Sequence, residues 1–166
     1  DERVTLAAGG IAGKGMTAGF HPLAAVLFRN RYDVLQQYDA INTNGSAALA
    51  SLVGLWVMEM TAARADRIIE TGDYLAERLA GLVGQFGDVL EDARGKRHLA
   101  GLKFRRVRDA LDFHRRAVGA GLWVRVHAYH EGHSTILLKL GLAADEQIVD
   151  FVVAKFQTLL EGRTET

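Results

Sequence analysis

The spacing of apolar residues changes along the chain, and each change marks a predicted element. Residues 4–8 form a short apolar run, 9–19 are the most glycine-rich stretch, and 23–28 form a second apolar run, so the start reads as strand, loop, strand. Pro22, the only proline, stands just before the second run, where a missing N–H costs least. A short helix is expected over 33–38, and Asn42, Asn44, Gly45 and Ser46 mark a turn over 41–46. Leu49, Leu52, Val53, Trp56 and Met60 then recur at helical spacing, giving one broad apolar face that must be covered. Ile68, Ile69, Leu75, Leu79 and Leu82 continue that helix to about residue 83, across a weakening Gly72. Beyond Gly87 short apolar runs at 89–90, 99–104, 122–129 and 135–140 alternate with helical patterns at 107–118 and 146–160, an α+β unit on a small sheet. Asp145 and Glu146 open the last helix, whose predicted buried stripe is Ile148, Val152, Phe156 and Leu159.

Composition narrows the function classes. Lys plus Arg number 20 and Asp plus Glu number 20, so no net field favours nucleic acid, anionic lipid or an acidic partner. With no cysteine there is no disulfide framework, thiolate metal site or cysteine nucleophile, and a cytoplasmic location is the default expectation. The longest membrane-span candidate, 47–60, is broken by Ser51 and Gly54, so no membrane insertion is expected. Asp1-Glu2-Arg3 has neither signal-peptide character nor an initiator methionine, and the chain reads as a piece of something longer.

Gly9 to Gly19 surround Lys14 and invite a phosphate-binding reading. The spacing refuses it: Ala8 stands where the GxxxxGK[ST] loop needs glycine, and Gly15 where it needs Ser or Thr. The dinucleotide pattern fails because glycine follows Gly13-Lys14-Gly15 at 19 rather than 18. What remains is a lysine between two glycines, flanked by apolar runs. Small neighbours allow a planar cofactor to approach, and a lysine in a partly apolar pocket loses part of its preference for the charged form. Its neutral amine can attack an aldehyde. The bland alternative is a solvated lysine in a flexible loop.

Thr5-Leu6-Ala7, then Lys14, then Pro22-Leu23-Ala24-Ala25-Val26-Leu27 together resemble the cofactor-lysine segment of the class III pyridoxal-phosphate aminotransferases. Thr43-Asn44-Gly45-Ser46-Ala47-Ala48-Leu49-Ala50 is similar to that family's Thr-x-Gly-Gly-Asn-Pro-Leu-Ala, although Ser46, Ala47 and Ala48 depart from it. Glu70-Thr71-Gly72-Asp73-Tyr74-Leu75 and Asp92-Ala93-Arg94-Gly95 resemble its Leu-Gly-x-Tyr-Leu and Asp-x-Arg-Gly landmarks, in the same order. The resemblance implies an α/β fold: the C-terminal portion of a fold-type I transferase, with the end of the large-domain sheet over 1–62 and an α+β small domain over 63–166. It also implies pyridoxal 5'-phosphate as cofactor, Lys14 as its Schiff-base lysine and proton shuttle, and Thr43 and Asn44 at the cofactor phosphate. The implied reaction moves an amino group from an amine or amino acid to a keto acid or aldehyde, in a homo- or heterodimeric assembly with shared active sites. The acid that pairs with the pyridine nitrogen, the stacking aromatic and the upstream phosphate loop precede the lysine in that family, so a second polypeptide is expected to carry the N-terminal part. The family's arginine before Pro-Pro-Leu, which holds a substrate carboxylate, has no counterpart in residues 135–142. Alternative readings are a racemase or decarboxylase of the same fold, or a structural partner without catalysis.

The remaining constellations are weaker. His127, His130 and His133 have a spacing that zinc uses, but on a strand they do not all point one way, so no metal is assigned. Arg105, Arg106, Arg108, Arg115 and Arg116 are interrupted by Asp109 and Asp112 and read as a solvated helix face. Arg94 is expected to be structural, and Trp56 and Trp123 to be core or interface residues.

Overall fold

A computed structural model describes residues 9–13, 15–39, 45, 47–128, 130 and 133–163. The chain divides into two compact units, Asp1–Arg64 and Ala65–Thr166.

In the first unit, β1 (Gly9–Gly13) pairs antiparallel with β2 (Ala24–Phe28), with Ile11 opposite Val26 and Gly13 opposite Ala24. The expected loop over 9–19 therefore begins as a strand. A ladder needs backbone N–H and C=O groups rather than side chains, and β2 supplies them. The expected strand over 4–8 lies outside the described residues. A 3-10 turn, Gly15–Thr17, follows β1, and Ala18 (φ 51°) and Gly19 (φ 89°) reverse the chain.

The helix expected over 33–38 does not form. A 3-10 turn occupies Asn30–Tyr32, and Asp39 then competes for the backbone: its carboxylate accepts the Gln36 N–H at 2.7 Å, while the Asp39 N–H donates to the Gln36 carbonyl at 3.1 Å. α1 (Ala48–Ala63) matches the expected start of the long helix. Its buried residues are Ala50 and Gly54, whereas Leu49, Leu52, Trp56 and Met60 are exposed.

The single helix expected through residue 83 is two. Arg64 leaves helical geometry at φ −115°, ψ 14°, its N–H donating to Thr61 and Ala62 carbonyls, and α2 runs over Ala65–Gln85. No glycine or proline marks this break, so the apolar period passes through it.

In the second unit, β3 (Leu90–Lys96), β4 (Leu99–Phe104), β5 (Arg125–His127) and β6 (Thr135–Lys139) form an antiparallel sheet in the order β3-β4-β6-β5. Polar β3 is an edge strand, which explains why the apolar pattern revealed only its start. Leu90, Leu102, Phe104, Ile136 and Leu138 line the buried face of the sheet. Against them pack Leu75, Leu79 and Leu82 of α2, Ala110, Phe113 and Ala117 of α3 (Val107–Gly119), and the buried stripe of α4 (Glu146–Glu161). Phe113 stands 5.2 Å, ring centre to centre, from both Phe104 and Phe156, tilted against the first and edge-on to the second.

Asp145 caps α4 by accepting the Ile148 N–H at 3.1 Å. The α4 stripe is Val149, Val152, Val153, Phe156 and Leu160 rather than the expected set; Ile148 is 46% exposed. The aliphatic positions on both sides of Val152 left the facing direction open until the sheet chose it. Neither tryptophan enters the core: Trp56 is 56% and Trp123 88% exposed. His98 is buried, with its ring nitrogens 3.0 Å from the Gly141 carbonyl oxygen and 3.1 Å from that of Ile68, tying the β3–β4 turn to α2 and to the segment after β6.

Candidate functional site

The three residues expected to hold the cofactor, Lys14, Thr43 and Asn44, lie outside the described residues. The structure does define the frame around position 14. Gly13 ends β1 and Gly15 begins the 3-10 turn. A Cβ added at Gly15 or Gly19 would meet nothing within 4 Å, whereas one at Gly13 would lie 3.4 Å from the Ala24 Cβ. The two glycines beyond the lysine face open space, and the one before it faces the neighbouring strand.

Thr17, fully buried, locks this turn. Its hydroxyl donates to the His21 carbonyl and accepts the His21 N–H at 3.2 Å, while Phe20 N–H donates to the Thr17 carbonyl at 3.0 Å. Gly54 brings α1 close to the same turn, since a Cβ there would lie 2.6 Å from Leu23 Cδ2. Sequence reading passed over both residues, treating Gly54 only as a break in an apolar run. The available signal was a glycine on the otherwise apolar face of a helix, which marks close approach.

The two downstream landmarks are explained by packing rather than chemistry. A Cβ at Gly72 would lie 2.6 Å from the Arg97 Cα, and one at Gly95, where φ is 116°, would lie 2.2 Å from the Leu99 carbonyl oxygen. Gly95 thus allows the tight β3–β4 turn, and Gly72 allows α2 to lie against it. Arg97 Nη1 reaches Asp73 Oδ1 at 2.8 Å, and Arg94 Nε reaches Asp92 Oδ2 at 2.9 Å along its own strand. The Tyr74 hydroxyl donates to Asp150 at 2.7 Å, and this hydrogen bond, followed by desolvation, raises the tyrosine pKa. Lys103 donates to Glu91 at 2.5 Å and by that hydrogen bond holds the carboxyl below its usual range.

The rings of His130 and His133 lie 4.2 Å apart, and among the described residues no group of three His, Asp or Glu side chains is placed to hold a metal. No single described helix is long and apolar enough to cross a membrane.

No family model and no curated protein matches the chain. Solved structures do. A transaminase from the marine bacterium Virgibacillus superposes with a TM-score of 0.81 over 92% of this chain and 38% of its own length, at 16% identity. The fold is that of a fold-type I transferase, in its C-terminal portion. An acetylornithine aminotransferase from Elizabethkingia anophelis (TM-score 0.78, 21% identity) and an ornithine aminotransferase from Plasmodium yoelii (0.77, 20%) each match over 92% of this chain and 40% of theirs. This chain thus spans about two fifths of the length of the transferases it matches.

Proposed function

We propose that this chain is the cofactor-lysine segment and small domain of a class III, pyridoxal-phosphate-dependent aminotransferase. The observation that carries the reading is the likeness of fold to a transaminase over 92% of the chain at a TM-score of 0.81, alongside the ordered sequence landmarks. Two features near position 14 support the reading: an added Cβ at Gly15 or Gly19 would meet nothing within 4 Å, and Thr17 and His21 are hydrogen-bonded to each other. When bound, pyridoxal phosphate supplies an aldehyde carbon for exchange of amines and a ring that accepts electrons.

In this reading Lys14 would hold the cofactor through its amine and would carry a proton at Nζ. Thr43 donates its hydroxyl to the cofactor phosphate, and Asn44 belongs to the same phosphate turn. Amino groups pass from a small amine or amino acid to a keto acid or aldehyde. Residues 1–62 end the large domain and 63–166 form the small domain. The rest of such an enzyme completes the site, in a cytoplasmic dimer with shared active sites. Unit 1 offers the rest of the enzyme an apolar surface: Val26, Leu27, Leu49, Leu55, Trp56 and Met58 are all more than half exposed.

The test is borohydride reduction of the assembled protein, followed by intact mass and peptide mapping. A pyridoxyl adduct on Lys14, and its loss together with amino transfer in Lys14→Ala, is expected. An adduct on another lysine, or full transfer activity in Lys14→Ala, would falsify the assignment.

A further inference from the structure

The second unit contains a cavity of about 590 Å³ that the aminotransferase reading leaves without a role. Five arginines line it: Arg106, Arg108, Arg115 and Arg116 from α3 and the residue before it, and Arg163 just after α4. The carboxylates in the lining are three, Asp88, Asp109 and Asp112, leaving an excess of two positive charges.

The way these charges pair matters more than their number. Arg106 and Arg108 share one carboxylate, Asp109, meeting it through Nε at 2.7 and 3.5 Å. Asp112 is shared by Arg116 Nε at 2.7 Å and Arg115 Nη2 at 3.4 Å. Arg116 also donates from Nη1 to the Leu159 carbonyl. Arg163 gives Nη2 to Asp88, while its Nη1 is buried and has no acceptor among the described residues. A buried guanidinium N–H without an acceptor is costly, so the Arg163 side chain is not held fully satisfied by Asp88 alone.

We infer that this cavity binds a dianionic phosphate group. The excess of two charges matches a phosphate dianion, and guanidinium forks match its oxygens in pairs. The volume falls in the range of about 300–1,000 Å³ common to small-molecule sites and exceeds what a bare phosphate fills. Val89, Phe104 and Leu160, buried in the core, lie at its apolar floor, beneath any attached organic body. The shared chemistry is the phosphate, whether free or carried as a phosphomonoester. The sequence alone read the same arginines as a solvated helix face; the fold turns them toward Arg163 and the end of α4.

The experiment is a titration of the full chain with inorganic phosphate and with phenyl phosphate, against sodium chloride at matched ionic strength, read by calorimetry and by thermal midpoint. Saturable binding and a rising midpoint are expected for both phosphates and not for chloride. Binding at least tenfold tighter for phenyl phosphate identifies a phosphomonoester as the natural ligand; equal binding identifies free phosphate. Arg163→Gln and Arg108→Gln are each expected to weaken binding at least tenfold. Arg108 is well exposed, so its substitution leaves the fold intact even if Arg163→Gln does not fold. Absence of saturation by both phosphates, or equal affinity in Arg108→Gln, overturns the site. None of these readings depends on Lys14 or on transfer activity, so failure here leaves the proposed function untouched.

Discussion

Replacing Gly72 by alanine separates helix propensity from tertiary contact. Alanine is better than glycine inside a helix by about 1 kcal/mol, so propensity alone predicts a gain. At Gly72, however, the added Cβ would lie 2.6 Å from Arg97 Cα, 3.0 Å from its carbonyl carbon and 3.2 Å from its Cβ. Those atoms belong to the β3–β4 turn, which Gly95 and the ladder to β4 already fix, so the neighbour cannot rotate aside. Forcing atoms into such a contact costs roughly 1–3 kcal/mol and also displaces the turn from α2. The net for Gly72→Ala is a loss of up to about 2 kcal/mol, with the propensity gain cancelled or outweighed.

Gly81 on the same helix is the control, because a Cβ there meets nothing within 4 Å. Gly81→Ala should gain about 0.5–1 kcal/mol. Urea unfolding of the full chain and both variants, followed by far-ultraviolet circular dichroism, reads the difference as midpoint shifts of opposite sign at constant slope. A Gly72→Ala midpoint equal to or above that of Gly81→Ala would show that the turn does not press on α2.

Three further outcomes follow from the second unit. His98→Leu removes the ring that faces the Ile68 and Gly141 carbonyls and should cost about 1–3 kcal/mol in the same unfolding assay; an unchanged midpoint would mean the ring is dispensable. Asp145→Ala deletes the α4 cap and should cost about 1 kcal/mol, whereas Asp145→Asn should retain most of it. Glu91 is a carboxyl whose folded pKa is depressed by its Lys103 partner, so its contribution to stability is present above the unfolded pKa and fades as pH falls through the folded value. Lys103→Met should therefore flatten the acid limb of the stability profile, and a limb identical to the parent's would rule the pair out as its source.

The sequence by itself determined most elements of the second unit. Alternating and helical apolar periods placed β4, α3, β6 and α4 within a residue or two, because burial against a sheet imposes those periods on any chain that folds this way. Asp145 was legible as a helix start because the cap interaction is local. Position 14 stood out as a lysine among glycines, but neighbouring residues alone could not distinguish a cofactor lysine from a solvated one.

The tertiary structure decided what depends on residues distant in sequence. It made a strand of residues 9–13 by pairing them with β2, broke the long helix at Arg64, and buried Val149 and Leu160 of α4 while leaving Ile148 exposed and Leu159 partly buried against the core. It gave Gly72 a partner in Arg97 and gathered Arg163 with the α3 arginines around one cavity. Spacing along a chain records which side of an element is buried, whereas the identity of what lies against that side depends on residues dozens of positions away.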